Sequence, residues 1–297
     1  MTGGTRRRSW ARRLARLTGF RVACIALGIV AAFALAPNAV AALSPASGNP
    51  LKCSLRAPDG SYQDRLAPSA DHWFGTDAQG CDEFARVVHG ARTSLQIGLG
   101  AGLLTTAIGT VLGLVAGWRG GWIDAIVRRF ADVTLGIPLV VGSILLLSVL
   151  VDGRRTPTQI ILTLALQLWP APARIARSVT RTIVQLPYVE AARALGATDA
   201  RIVAKHVLPN ALPAVIAFAT PLVGLLIGAE ATLSYLGIGL QAPSVSWGLM
   251  IEQAQRTYTS SPHLLLFPGA FLVAAIAGFI LLGDALNDSL DVHLSHV

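Results

Sequence analysis

Three groups of residues in this chain are of types that can do chemistry. They are the cysteines Cys53 and Cys81, the acid Glu230 inside the apolar run LLIGAEATLSYLGIG, and the polar stretch EAARALGATDARIVAKHVLPN at 190–210. Two thiols in an oxidising compartment cross-link. A carboxylate in an apolar run bonds neighbouring helices, lines a polar pathway or relays protons. A short basic amphipathic stretch docks on a partner or lies on lipid headgroups. None of these makes a catalytic centre, because Glu230 has no nucleophile, metal or second intramembrane acid or histidine to work with. Cys53 and Cys81 belong to no CxxC pair, and His72 and His89 show no ligand spacing, so no metal site is expected. The GLGAG run at 98–102 follows no strand, and neither of the two lysines, Lys52 and Lys205, follows a glycine-rich loop. Without a phosphate-binding loop the chain is not expected to hydrolyse nucleotide itself.

The elements that must position these residues are set by their solvent. With 53% hydrophobic and 13% charged residues over 297 positions, and a mean hydropathy of +0.57, the chain is too apolar for a soluble protein of its size. A membrane crossing takes about 20 mainly apolar residues and must be helical to satisfy its own amides. Six stretches qualify, at 20–43, 94–118, 126–151, 159–176, 213–236 and 264–286. The expected fold is all-α and polytopic, with six transmembrane helices. The fourth stretch is the weakest because Pro170 and Pro172 interrupt it, and five crossings are the alternative.

Basic residues near the ends of crossings stay on the cytoplasmic side. Arg6, Arg7, Arg8, Arg12, Arg13, Arg16 and Arg21 precede the first stretch, which places both termini inside. The same count puts Arg119, Arg128, Arg129, Arg174, Arg177, Arg181, Arg193, Arg201 and Lys205 inside. The net charge of +8 is therefore topology and attraction to anionic lipid, with nucleic-acid binding the poorer reading.

Three regions follow: a basic N-terminus and first crossing at 1–43, an extracytoplasmic cap at 44–92, and a core at 93–291 that holds the polar loop at about 177–212. The first region also has the arginines, apolar run and small residues of a secretory signal peptide, but the run is long for one and favours a retained anchor. The cap is rich in Pro, Ser, Asp and Gly and holds both Cys53 and Cys81, so a Cys53–Cys81 disulfide is expected. Closing a loop of that size contributes roughly 3–4 kcal/mol in the chain-entropy model, which matters for a piece too small for its own core. Within the crossings, Gly109, Gly113 and Gly117, and Gly224 and Gly228, recur at four-residue spacing and suit close helix packing. Glu230 falls toward the outer end of the fifth stretch, where packing between helices is favoured over direct contact with a substrate.

The polar stretch reads as helix, glycine turn, helix. Pro187 suits a first helical turn and Gly196 a left-handed C-terminal position. Thr198 can cap a second helix, Asp199 suits its N-terminus, and Lys205 and His206 suit its C-terminus before Pro209.

Glu190, Ala191, Ala192, Gly196, Leu208 and Pro209 together resemble the EAA loop of permease subunits from bacterial ABC importers. His206 stands where many members have an aliphatic residue, and HVLPN at this point is similar to the dipeptide/oligopeptide branch. FGTDAQGCDEFARVVHGARTSL (74–95), GAEATLSYLGIGLQAPSVSWGLMI (228–251), LLLFPG (264–269) and LLGDALNDSLD (281–291) also resemble that branch, so the likeness covers most of residues 70–291. Cys53, Cys81 and His263 depart from its usual pattern.

The resemblance implies a type I importer permease fold in the bacterial inner membrane, with N- and C-termini cytoplasmic. It implies a second homologous permease as heterodimer partner, one or two ATPase subunits carrying ATP and magnesium at the cytoplasmic face, an extracytoplasmic solute-binding protein, and surrounding lipid. Glu190, Ala191, Ala192, Gly196, His206, Leu208 and Pro209 would couple to the ATPase, with Leu208 and Pro209 ending the loop against the fifth crossing. The implied cargo is a di- or oligopeptide, with nickel or glutathione as alternatives. A secondary transporter or channel without an ATPase is the competing class, but inverted repeats and paired intramembrane charges are not evident.

Overall fold

The computed structural model describes residues 3–46, 49–50, 53–56, 62–150 and 153–294. Lys52, position 151 and the side chains of Arg6, Arg7, Arg8, Arg12, Arg13 and Arg16 lie outside the described residues. Among those described, regular structure is helical apart from two isolated bridges in the cap, Arg56 with Tyr62 and Thr76 with Asp82.

In chain order the helices are α1 (Gly3–Leu35), α2 (Pro37–Ala41), α3 (Glu83–Arg119), α4 (Gly121–Gly136), α5 (Leu139–Leu150) and α6 (Pro157–Leu168). There follow α7 (Pro170–Val184), α8 (Pro187–Ala194), α9 (Asp199–Ile202), a π turn (Val203–Val207), α10 (Leu208–Tyr235), α11 (Trp247–Ala254) and α12 (His263–Leu294). Four segments are long and apolar enough to cross a membrane: Thr18–Leu35, Glu83–Arg119, Asp199–Tyr235 and His263–Asp288. A fifth is obtained if α4 and α5 count as one.

Two of the six expected crossings are interrupted. The third, expected at 126–151, is bent by 98° between α4 and α5. Its cause is Pro138, whose ring pushes the preceding Ile137 out of the helical region, to φ −88° and ψ 120°. The fourth, expected at 159–176, is split: α6 has 12 residues, too few to cross alone. Trp169 between α6 and α7 nevertheless stays right-handed, at φ −55° and ψ −28°. It donates to Ala165 O and accepts from Ala173 N–H, so the right-handed path runs on through Trp169, and what the break lacks is the N–H that Pro170 cannot supply.

Helix α3 organises the rest. Its 37 residues at 1.5 Å each set its ends ~55 Å apart. It starts earlier than the apolar pattern alone indicates because Asp82 caps it, accepting from Ala85 N–H at 2.9 Å. The glycine ladder lies against α7. A Cβ on Gly109 would sit 2.6 Å from Trp169 O, one on Gly117 would sit 2.7 Å from Thr180 Cβ, and one on Gly113 would strike Ala173 O. Gly224 and Gly228 meet Ile276 of α12 in the same way. Three apolar clusters then stack along α3: Val87, Leu95, Ile227 and Trp247 at its start, Ile97, Ile160, Leu164 and Leu226 at its middle, and Leu114, Ile183, Val189 and Ile202 at its end.

Candidate functional site

At the far end of α3 the polar stretch forms a hairpin. Helix α8 takes Pro187 in its first turn and closes on Gly196, whose φ is +81°. Gly196 N–H donates to Arg193 O at 3.0 Å and Ala197 N–H to Ala192 O at 3.1 Å. This paired pattern terminates a helix and needs a left-handed residue at the glycine. Thr198 stands at the N-cap of α9 but makes no side-chain capping bond.

The return arm meets the fifth crossing at Leu208, where α10 begins, without a break in the helical path. Asp199–Tyr235 is one helical run, so the arm is the start of the α10 crossing. The π turn makes this possible: Leu208 N–H reaches back to Val203 O, and the widened turn absorbs the donor that Pro209 lacks. Asn210 Nδ2 donates to His206 O at 2.6 Å beside it.

One face of the hairpin is buried and the other is bare. Val189, Ile202 and Val207 pack with Leu114 of α3 and Ile183 of α7, and Ala192 and Leu208 lie against that cluster. Glu190, Ala191, Gly196 and Pro209 are exposed, so Ala191 and Ala192 face different ways. Leu195, at the tip, is 88% exposed. The sequence reading missed it, although a leucine beside a turn glycine in a polar hairpin was the available signal. The arms are held together by the Tyr188 and His206 rings, 5.9 Å apart, and the Arg193 guanidinium lies 5.4 Å from the Trp118 ring at the end of α3.

A second anchor was also missed. Asp124 of α4, nearly fully buried, accepts from Arg177 Nη2 at 2.8 Å, from Arg177 Nε, and from Arg181 Nη2 at 2.9 Å. Arg128 Nε stands 3.3 Å away. Two of these guanidiniums, Arg177 and Arg181, bind α4 to α7 just before the hairpin, while Arg128 meets the same carboxylate from within α4. The spacing of Arg177 and Arg181, one turn apart, was the legible sign.

Glu230 is 0% exposed and far from the hairpin. It accepts from Ser234 Oγ at 2.8 Å and Ser246 Oγ at 2.9 Å, with Ser94 Oγ at 3.5 Å. It thus joins α3, α10 and the N-terminus of α11. In the cap, Cys53 and Cys81 are disulfide-bonded with Cα atoms 4.1 Å apart, and Cys24 is a free, exposed thiol. The described residues contain no cluster of three or more His, Cys, Asp or Glu able to hold a metal ion.

Residues 109–296, which include the whole hairpin, match the family of the binding-protein-dependent transport system inner membrane component. The chain belongs to this permease family. It is 42% identical over 233 residues to the dipeptide transport system permease protein DppC of Bacillus subtilis (strain 168), covering 78% of this chain and 72% of that one. It is 38% identical over 224 residues to the glutathione transport system permease protein GsiD of Escherichia coli O157:H7, covering 75% and 73%. Its fold is similar to that in the inward facing conformations of the MetNI methionine ABC transporter, with a TM-score of 0.56 and 23% identity over 67% of this chain and 93% of that one.

The permease is accordingly a multi-pass inner-membrane subunit of a bacterial ABC transporter, of the peptide/glutathione branch, and is not itself an enzyme. A binding-protein-dependent permease works with an ATPase and a binding protein.

Proposed function

We propose that this permease forms one half of the translocation path of an ATP-driven importer of di- or oligopeptides, paired with a second homologous permease. One or two ATPase subunits, which carry ATP and magnesium, dock on the α8–α9 hairpin. A solute-binding protein meets the opposite, cap end. In this reading α6 and α7 together make one crossing, bringing the total to six with both termini cytoplasmic. The Cys53–Cys81 bond staples the cap, and Glu230 serves packing.

The observation that carries the reading is the continuity of the hairpin with a crossing. The bare tip presents Glu190, Ala191 and Leu195, while the return arm runs without a break into α10. A displacement of the tip by a closing ATPase is therefore delivered to a transmembrane helix as a rigid lever, which biases the spans between two packings. Glu190 and Gly196 shape the elbow, Ala191 allows close approach, and His206 ties the arms. Dipeptide cargo is favoured by the DppC likeness. Glutathione is the second reading, favoured by GsiD.

The test is uptake by the assembled importer carrying Glu190→Lys or Gly196→Asp. Both variants should insert normally, keep ATP hydrolysis and lose most dipeptide uptake. Normal import by both would refute the lever.

A further inference from the structure

At the opposite end of α3 from the hairpin lies a cavity of about 280 Å³, bounded by the 77–79 turn of the cap, the first turns of α3, α11 and the turn that follows it. That volume is at the low end for small-ligand pockets. Its charged lining is Asp77, Glu83, Arg86, Glu252 and Arg256, with the amides of Gln79 and Gln253. Two of these are committed to each other and to the wall. Arg86 donates Nη1 to Asp77 and Nη2 to Gln253 Oε1 at 2.6 Å, which ties cap, α3 and α11 into one frame.

Glu83 is different. It is only 2% exposed and lines the cavity, yet its carboxylate has no hydrogen-bond or ion-pair partner among the described residues. A carboxylate withdrawn from bulk water without a donor is costly as an anion, and a cation brought into the cavity would remove that cost. Arg256, exposed at the rim, likewise has no carboxylate partner among the described residues. The uncommitted groups are therefore a buried carboxyl inside, which a bound cation would hold as its anion, and the Arg256 guanidinium and Glu252 elsewhere on the lining.

We propose that this cavity is a subsite for zwitterionic amino compounds of short-peptide size. The ligand's ammonium is seated on Glu83 and its carboxylate on Arg256. The excess of acid over base among the uncommitted groups disfavours ligands with two carboxylates and one amine. The proposal rests on the importer reading only for the direction from which ligand arrives; the chemistry of the cavity stands apart from it.

The experiment measures binding of dialanine, N-acetyl-dialanine and dialanine amide to the full chain in lipid nanodiscs by calorimetry, for wild type, Glu83→Gln and Arg256→Gln. Dialanine should bind wild type. N-acetylation and E83Q should each weaken binding at least tenfold, and together no more than either alone, because both remove one contact. Amidation and R256Q should pair in the same way. Absence of dialanine binding, or E83Q and N-acetyl-dialanine behaving like their parents, would overturn the subsite. If E83Q loses the Cys53–Cys81 bond or its monodisperse elution, the pairing of amidation with exposed Arg256 decides alone. Uptake with the hairpin variants reports on the importer separately, so the two readings fail independently.

Discussion

Glu230 shows how one buried acid sets the geometry of a loop at the cap end of the molecule. Ser246 is the N-cap of α11, accepting from Leu249 N–H while donating to Glu230 at 2.9 Å. Beside it, Trp247 N–H donates to Ser94 Oγ at 3.2 Å and Trp247 Nε1 to Val87 O at 3.0 Å. The acid thus fixes where α11 starts, and α11 walls the cavity beside the cap. Replacing Glu230 with Ala leaves two hydroxyl donors buried without an acceptor, at about 2–4 kcal/mol for the pair. Glu230→Gln keeps one acceptor oxygen and should lose less. Thermal unfolding of purified protein should rank wild type above E230Q and E230Q above E230A; an E230A transition at the wild-type temperature would remove Glu230 from this role. The sequence marked Glu230 because a carboxylate stands out in an apolar run, but its partners were illegible. Ser94 lies 136 residues away, and a serine in a membrane helix carries no sign of what it faces.

Among the elements, the four-residue glycine ladder was the most faithful sequence signal, and prolines were the least. Gly109, Gly113 and Gly117 read as a close-packing face, and they meet the backbone of α7. Each proline, in contrast, had a consequence that depended on where its lost hydrogen bond fell. Pro138 bends a crossing, Pro170 starts a helix, and Pro209 passes through a run that the π turn keeps continuous. Local sequence gives the missing donor; the surrounding packing decides whether it is absorbed. The ladder yields a sharp comparison. Gly113→Ala forces α3 and α7 apart and should cost about 1–3 kcal/mol by overpacking. Gly28→Ala meets nothing within 4 Å and should be neutral or slightly stabilising through helix propensity. Membrane-inserted yield and detergent melting of the two variants check this, and equal behaviour would mean the α3–α7 contact tolerates slack.

At the scale of the whole molecule, α3 connects two poles with different tasks. The cap pole is stapled by Cys53–Cys81 and ordered by polar contacts, whereas the hairpin pole is held by an apolar cluster on one side and left bare on the other. The positions of the hairpin, its turn glycine and its first proline were legible, because each is local chemistry. Which side faced outward was not, since exposure depends on α3 and α7 arriving beside it. Leu195 is the residue where that distinction matters most. An 88% exposed leucine at a rigid tip loses nothing within this chain when it becomes polar, so Leu195→Asp should leave insertion and melting unchanged. A partner that buries the side chain loses on the order of 2 kcal/mol of apolar contact, and gains a desolvated charge as well. Copurified ATPase should therefore fall at least tenfold for Leu195→Asp and much less for Leu195→Met, which keeps the apolar volume. An unchanged ATPase yield with Leu195→Asp would mean that the partner grips the hairpin along its flank, at Glu190 and Ala191, and that the tip hangs free.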